Sequence, residues 1–163
     1  MAKEILFQQD SWMFSYRVGG LLYQDGKLLL QRKEGETAYT LPGGLGSFGE
    51  FSRETLARKF QEETGAAVNV GKLCFSVELF YRWKKPCHQL NLYYLVELKN
   101  KHALPAVPFK VLDELGQERI HLEFCWVEVE KLETIKLYPA CIQPYLRKLP
   151  DQTLHLQQND LED

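Results

Sequence analysis

The sequence has no long apolar run. Its longest uninterrupted apolar stretches, such as residues 19–23, fall far short of the roughly 20 residues that a membrane-spanning helix requires. The first nine residues contain Lys3, Glu4 and two glutamines without an apolar core, so no signal peptide is expected. We therefore expect a cytoplasmic protein with no membrane partner.

The sequence also has no excess of charge of one sign. Twenty basic residues oppose 22 acidic ones, which gives a net charge of −2. Proteins that bind duplex nucleic acid usually carry a strong basic excess or a basic stripe. The densest basic cluster, residues 82–85, is short and ends at Pro86, as a solvated hairpin turn would. We expect no nucleic-acid polymer as a partner.

Cysteine is scarce and scattered. The four cysteines form no CxxC pair and have no histidine at the spacing of zinc ligands. Cys74, Cys125 and Cys141 lie in apolar runs, where a reduced cysteine behaves as a small hydrophobic side chain. We expect inert thiols in a reducing compartment.

The sequence does contain the pattern of one α/β domain. A chain of 163 residues buries roughly 70 % of its unfolded surface, which is enough for a core without disulfides. No repeat or linker divides it, so we expect a single domain over 1–163, with its core at about 12–148 and a frayed polar tail at 150–163. The order of elements predicts an α-β-α sandwich with a mixed, partly parallel sheet.

The predicted elements begin with a hairpin. Strands at 14–24 and 27–32 flank Asp25-Gly26, a type I′ turn dipeptide. Four glycines within residues 43–49 require a loop, and a helix follows, with Ser52 as its N-cap and Gly65 as its stop. The later predicted elements are strands at 68–83 and 88–98, a long loop at 99–118, a strand at 120–129 and a terminal helix at 139–149 that Pro144 kinks or splits.

The glycine-rich loop and the helix after it carry the candidate chemistry. Glu62 and Glu63 lie on the exposed face of the predicted helix, close to flexible backbone carbonyls. Hard cations such as Mg²⁺ or Mn²⁺ seek such oxygen ligands. Taken alone, a Glu-Glu pair is more often a solvated, acidic end of a helix.

The wider pattern around this pair resembles the signature of the Nudix hydrolases. That signature is Gly, five residues, Glu, seven residues, then Arg-Glu-apolar-x-Glu-Glu-x-Gly and an apolar residue. The matching positions here are Gly44, Glu50, Arg58, Phe60, Glu62, Glu63, Gly65 and Ala66. The preceding residues 41–43, Leu-Pro-Gly, also match, and weaker similarity extends over residues 12–148. The resemblance implies the Nudix fold.

The resemblance also implies an activity and a set of site residues. Nudix enzymes hydrolyse a diphosphate linkage in a nucleoside diphosphate derivative with the help of divalent cations, here expected to be Mg²⁺ or Mn²⁺. Glu62, Glu63 and the carbonyl of Gly43 would bind the metal. Glu50 would support the loop or a second cation, and Arg58 would orient the acidic cluster.

One position departs from the family pattern. Lys59 stands where the family has a glutamate that commonly binds metal and in some members serves as the general base. His88-Gln89 likewise stands where related sequences often have His-Glu. Asp113, Glu114 and Glu118 are candidates for a replacement base from outside the helix. Two hypotheses therefore remain open: a slow, metal-dependent pyrophosphohydrolase, and a nucleotide-binding or regulatory module without catalysis.

Substrate choice is weakly encoded. By resemblance, Arg17 and Arg32 lie on hairpin strands that face the phosphates, and Gly44 is a further expected substrate contact. Tyr39, Phe80 and Tyr81 are candidates for stacking on a base, although aromatic residues in strands more often belong to the core. The aromatic segment at residues 6–16 predicts a homodimer.

Overall fold

The computed structural model describes residues 3–113 and 120–161. The strands are β1 Leu6–Gln9, β2 Trp12–Gln24, β3 Lys27–Lys33, β4 Gly43–Leu45, β5 Val68–Trp83, β6 Lys85–Leu98, β7 Phe109–Asp113, β8 Ile120–Glu128 and β9 Leu154–Asn159. Helix α1 spans Ser52–Thr64, and two 3₁₀ helices span Val129–Thr134 and Ala140–Tyr145. Across this described part, no helix has the length and apolar character needed to cross a membrane.

The strands form the predicted mixed sheet. Its order is β7-β8-β3-β2-β6-β5-β9, with β1 and β4 also paired to β2. The β2–β6 and β5–β9 pairs are parallel and the other pairs are antiparallel. Leu56 and Phe60 of α1 pack on one side of the sheet, while Leu132 and Ile142 of the 3₁₀ helices pack on the other. The result is the expected α-β-α sandwich, with apolar clusters on both faces of the sheet.

The predicted hairpin is present, but its strands soon separate. Asp25 and Gly26 have φ values of 53° and 75°, the left-handed conformation that a type I′ turn requires. Only two residue pairs, Tyr23 with Leu28 and Gln24 with Lys27, join β2 to β3. Beyond them β2 pairs with β6 and β3 pairs with β8. The divergence leaves room for a cavity between the two strands.

Helix α1 begins one residue earlier than a Ser52 cap would require. Phe51 occupies the N-cap position, and its backbone N–H donates to the Glu54 carboxylate at 3.1 Å. The Ser52 hydroxyl is instead 2.6 Å from the Tyr94 hydroxyl, because the residue faces the sheet. At the other end, Gly65 has a φ of 74° and its N–H donates to the Gln61 carbonyl, which confirms the predicted stop.

Part of the predicted long loop is a strand. Phe109–Asp113 forms β7, which pairs with β8. The Phe109 and Phe124 rings stack with centroids 5.0 Å apart, and Val111 packs on the same apolar cluster. The sequence did not predict this short alternating segment, because Pro105 and Pro108 just before it are typical of loops.

The C-terminal predictions also need correction. The expected helix at 139–149 is only the 3₁₀ helix Ala140–Tyr145, since Pro144 lacks the N–H needed to continue an α-helix. The tail at 150–163 is not frayed throughout, because β9 pairs in parallel with β5 from Phe75 to Phe80. Alternate residues of β9 are half-buried. This period of two indicates a strand, but the polar composition of the tail favoured the prediction of a frayed end.

Candidate active site

The guanidinium of Arg58 ties the glycine-rich loop to α1. Its Nε and Nη2 donate to the two carboxylate oxygens of Glu50, each at 2.9 Å. Its Nη1 donates to both oxygens of Glu62, one turn further along the helix, at 3.0 Å. Nη2 also donates to the Ser47 hydroxyl at 3.1 Å. Three of the predicted site residues therefore form one network, and Arg58 orients both carboxylates.

Glu50 is the best-satisfied acid of this network. Besides the two bonds from Arg58, it accepts a hydrogen bond of 2.9 Å from the hydroxyl of Thr55, a fully buried residue. The hydrogen bonds from Arg58 hold the pKa of Glu50 below its usual range, against a smaller opposite effect of burial. Glu50 accepts three hydrogen bonds where Glu62 accepts two from Arg58, so Glu50 is the acid better suited to supporting the loop.

Lys59 lies against the backbone of the glycine-rich loop. Its side chain is only 12 % exposed, and its ammonium is 3.5 Å from the carboxylate of Glu4. A Cβ atom on Gly44 would come within 2.7 Å of the Lys59 Cε atom. The stem of Lys59 therefore covers Gly44, and its charge lies between the helix and the segment before β1.

Gly43 is held by a close backbone contact. It pairs with Gly19 across the short β2–β4 ladder. A Cβ atom at Gly43 would lie 1.9 Å from the carbonyl oxygen of Val18, an overlap that no side-chain rotation relieves. This position therefore requires glycine, which fixes the start of the loop against β2.

The carboxylates of Glu62 and Glu63 are suited to a divalent cation that is bound together with substrate. Among residues 3–113 and 120–161, no three His, Cys, Asp or Glu side chains are grouped closely enough to hold a metal ion. Glu62 and the half-buried Glu63 are adjacent on α1. Mg²⁺ commonly binds through one or two carboxylates, its own waters and substrate phosphates, so this pair fits that mode and does not form a closed metal cage.

Two arginines predicted to bind substrate line one cavity. It has a volume of about 250 Å³ and lies where β2 and β3 diverge. Arg17 and Arg32 line it together with Tyr81, one of the aromatic candidates. Arg17 lies opposite Leu45 of β4, so the cavity adjoins the strand that carries the glycine-rich loop. The structure thus brings both cations together beside the loop.

Arg32 also borders a second cavity, of about 350 Å³, with Tyr39. Its guanidinium carbon is 4.7 Å from the centre of the Tyr39 ring, and its Nε donates to Glu123 at 2.8 Å. That hydrogen bond lowers the pKa of Glu123. Arg32 is therefore positioned by an aromatic ring and a carboxylate between the two cavities.

Other predicted residues lie elsewhere. Gly44, covered by Lys59, is not among the residues that line these two cavities. Phe80 lies in an aromatic row on the α1 side of the sheet, with its ring 4.6 Å from that of His88. Of the candidate replacement bases, Glu114 and Glu118 lie outside the described residues, as does the side chain of Asp113.

The two buried polar residues of the 250 Å³ cavity were not predicted. Gln31 and Asn91 are 6 % and 1 % exposed, respectively, and both line the cavity. A signal for Asn91 is present in the sequence, because it is the one polar amide within the otherwise apolar run of residues 90–96. Such a residue needs a polar partner when it is buried.

The comparison with family models identifies the class of protein. The NUDIX domain model matches residues 13–149, so the chain belongs to the NUDIX family. Hydrolysis of small nucleotide derivatives with divalent cations is general in this family. A search of curated protein sequences gave no match.

Solved structures share the fold at low identity. A NUDIX hydrolase from Nitrosomonas europaea is 19 % identical with a TM-score of 0.62, over 94 % of this chain and 82 % of that one. An ADP-ribose pyrophosphatase from Streptococcus suis is 14 % identical with a TM-score of 0.57, over 88 % and 98 %. A UDP-X diphosphatase is 16 % identical with a TM-score of 0.58, and this chain spans 87 % of its own length and 66 % of that protein's.

Proposed function

We propose that the protein hydrolyses the diphosphate linkage of a nucleoside diphosphate derivative in the presence of Mg²⁺ or Mn²⁺. The observation that carries this proposal is the Arg58 network, which orients Glu62 beside Glu63 and fixes the loop through Glu50. Catalytic carboxylates must be held in a defined position before substrate arrives, and a planar guanidinium with five donors does this better than a flexible ammonium.

The proposed metal ligands are Glu62, Glu63 and the carbonyl of Gly43, completed by the substrate's own phosphates. A divalent cation held by these ligands would polarise the phosphates and lower the pKa of the attacking water. Lys59 removes one carboxylate from the set that the resemblance implies. We therefore propose weak binding of the free metal and tighter binding when nucleotide is present.

In the proposed reaction a water oxygen attacks one phosphorus of the diphosphate. The bond from that phosphorus to the bridging oxygen breaks, and two products with terminal phosphates leave. The water loses its proton to a base, for which Asp113, Glu114 and Glu118 are the candidates, because the Lys59 ammonium cannot accept a proton. Arg17 and Arg32 offset the phosphate charge, and Tyr39 orients Arg32.

The test is a panel of nucleoside diphosphate sugars, ADP-ribose and nucleoside triphosphates, each incubated with Mg²⁺ or Mn²⁺. The phosphate-bearing products are separated by chromatography and quantified. Activity on at least one nucleoside diphosphate derivative is expected, with loss in Glu63→Gln. Glu97→Gln, which changes an exposed glutamate on β6, is the matched control and should retain activity. Equal activity of the wild type, Glu63→Gln and Glu97→Gln would exclude Glu63 from the site.

A nucleotide-binding module without catalysis is the second candidate. The ion pair of Lys59 with Glu4 favours it, because a partly buried cation occupies the helix face that should receive metal. Tight nucleotide binding without product, over the whole panel and with both metals, would establish this alternative.

We also propose a homodimer in the cytoplasm. Leu6, Phe7 and Trp12 on β1 and β2 are each 40–50 % exposed, and Phe7 lies 5.3 Å from Phe14 between ring centres. Phe7 and Trp12 share one face of the β1–β2 ladder, and Leu6 lies on the other. The face with Phe7 and Trp12 is an exposed apolar surface that a second copy would cover. Light scattering should give about twice the chain mass of 19.0 kDa, and a mass near 19.0 kDa at micromolar concentration would contradict the proposal.

A further inference from the structure

The cavity between β2 and β3 contains an unusual group of polar atoms. In the described part of the chain, the buried side-chain atoms without a hydrogen-bond partner are Gln31 Oε1, Asn91 Oδ1 and Asn91 Nδ2. Both residues line the same 250 Å³ cavity. Leaving such atoms unpaired destabilises a folded protein, so buried amides nearly always have partners. Their grouping in one cavity indicates a site that is completed by a ligand.

The register of the sheet places this group next to a cation. Asn91 of β6 lies directly opposite Arg17 of β2. On β6, Gln89 and Tyr93 flank Asn91 at a spacing of two and line the same cavity, so this face of the strand borders it. Gln89 is already engaged, because its amide donates to the Ser15 hydroxyl at 2.8 Å. Asn91 and Gln31 thus remain to bind a polar ligand, with Arg17 beside them for a phosphate.

We infer that this cavity binds the base of the nucleotide and that Asn91 selects adenine. An asparagine amide presents one donor and one acceptor side by side, which pairs with N7 and the 6-amino group of adenine. On the same edge hypoxanthine and guanine present two acceptors, N7 and O6, so one of the two hydrogen bonds is lost. Gln31 adds a further acceptor to the same cavity, and the 6-amino group has a second hydrogen to donate. This inference rests on the proposed function for its ligand class, and it names the base that the site prefers.

The test uses AMP, IMP and ribose 5-phosphate, which contain no diphosphate bond and so cannot undergo the proposed hydrolysis. Calorimetry on the intact chain with Mg²⁺ should show AMP binding about 10- to 100-fold more tightly than IMP, the range of one bidentate amide–base pair. In Asn91→Leu the two affinities should fall within about twofold of each other, while ribose 5-phosphate binds as in the wild type.

Thermal unfolding without ligand supplies an independent readout. Replacing an unpaired buried amide by an apolar group of similar shape is nearly neutral or stabilising, so Asn91→Leu should melt no lower than the wild type. Gln143→Leu is the matched control, because the Gln143 amide donates to the carbonyls of Leu132 and Ile135. That variant should melt at a lower temperature and keep its preference for AMP.

Several results would overturn the inference. Equal binding of AMP and IMP by the wild type would exclude selection through the 6-amino group, and tighter binding of GMP would assign another base. Equal loss of AMP and ribose 5-phosphate in Asn91→Leu would make Asn91 structural. If Asn91→Leu does not fold, Asn91→Ser replaces it and should show the same loss of preference. If the wild type prefers AMP to IMP but hydrolyses none of the panel, only the proposed activity is refuted. If it hydrolyses a member of the panel but binds AMP and IMP equally, only this inference is refuted.

Discussion

The Lys59 ammonium lies 3.5 Å from a carboxylate oxygen of Glu4, in the segment just before β1. By resemblance to the family signature, this helix position would hold a carboxylate that helps to bind metal. Here the positive charge is instead compensated by an acid from the N-terminal segment, while the stem of Lys59 covers Gly44. The pair therefore connects the start of the chain to the candidate site.

Restoring a carboxylate at this position should strengthen metal binding. In Lys59→Glu the new side chain joins Glu62 and Glu63 and also meets Glu4, so the metal-free protein should lose stability. Affinity for Mn²⁺ should rise by about tenfold or more as ligand charge increases, and hydrolysis by about 10²-fold if the missing group is also the base.

The control for this variant is Glu4→Gln, which releases Lys59 without adding a ligand and should leave Mn²⁺ affinity within about threefold of the wild type. Calorimetric titration with Mn²⁺ measures the metal affinity of both variants. A Lys59→Glu protein that loses activity present in the wild type would show that the ammonium itself serves the reaction.

Arg58→Gln should lower stability and change its dependence on pH. Loss of the charged hydrogen bonds to Glu50 and Glu62 should cost about 1–3 kcal/mol of unfolding free energy at pH 7. The pKa of Glu50 is lowered in the folded state, so its contribution is complete above the ordinary value of 4.5 and is lost as the pH falls through the folded value. Urea unfolding from pH 7 to 3 should therefore show a shallower decline in the variant.

Arg53→Gln is the matched control for that series. Arg53 lies on the same helix and donates to the carbonyl oxygens of Val70 and Gly71, which do not titrate. Its loss should lower stability by a similar amount at every pH in this range. An equal acid dependence in wild type and Arg58→Gln would show that Arg58 does not control Glu50.

Two adjacent glycines should respond differently to alanine. Gly43→Ala places a Cβ against the Val18 carbonyl and should cost about 3 kcal/mol or more, since the backbone must move. Gly44→Ala meets only carbons of the flexible Lys59 side chain, which can move aside, and should cost about 1 kcal/mol or less. Urea unfolding of both variants measures the difference, and equal costs would contradict the packing described for the loop.

Strand β9 should contribute to stability although it lies in a polar tail. Removing residues 153–163 deletes the parallel pairing with β5 and exposes the apolar surface that Leu154 and Leu156 cover. A loss of about 2 kcal/mol should lower the melting temperature by about 4–8 °C. Removing only residues 162–163 is the control and should change it by about 1 °C or less. An unchanged melting temperature in the longer truncation would restore the interpretation of a frayed tail.

The sequence predicted the elements whose signals are local. The Asp25-Gly26 turn, the helix stop at Gly65 and the two long central strands each depend on residues close together in the chain, and the structure confirms them. The resemblance implied that Arg58 orients the acidic cluster, and Arg58 forms ion pairs with Glu50 of the loop and Glu62 of the helix.

What the sequence did not reveal depends on distant contacts. Strand β7 is stabilised by Phe124 of β8, and β9 by pairing with β5 some 79 residues earlier. The unpaired amides of Gln31 and Asn91 become apparent only when β3 and β6 border one cavity. The roles proposed for Glu63 and Gly43 in binding metal remain predictions.

The most direct test of the proposed hydrolysis is the position of oxygen from water in the product. The wild type is incubated with Mg²⁺ in ¹⁸O-labelled water and a nucleoside diphosphate derivative from the panel, and the phosphate products are analysed by mass spectrometry. The account predicts one ¹⁸O atom in one phosphate product of the wild type and of Glu97→Gln, and almost none for Glu63→Gln. Bound nucleotide without any labelled product would contradict hydrolysis and establish a binding module instead.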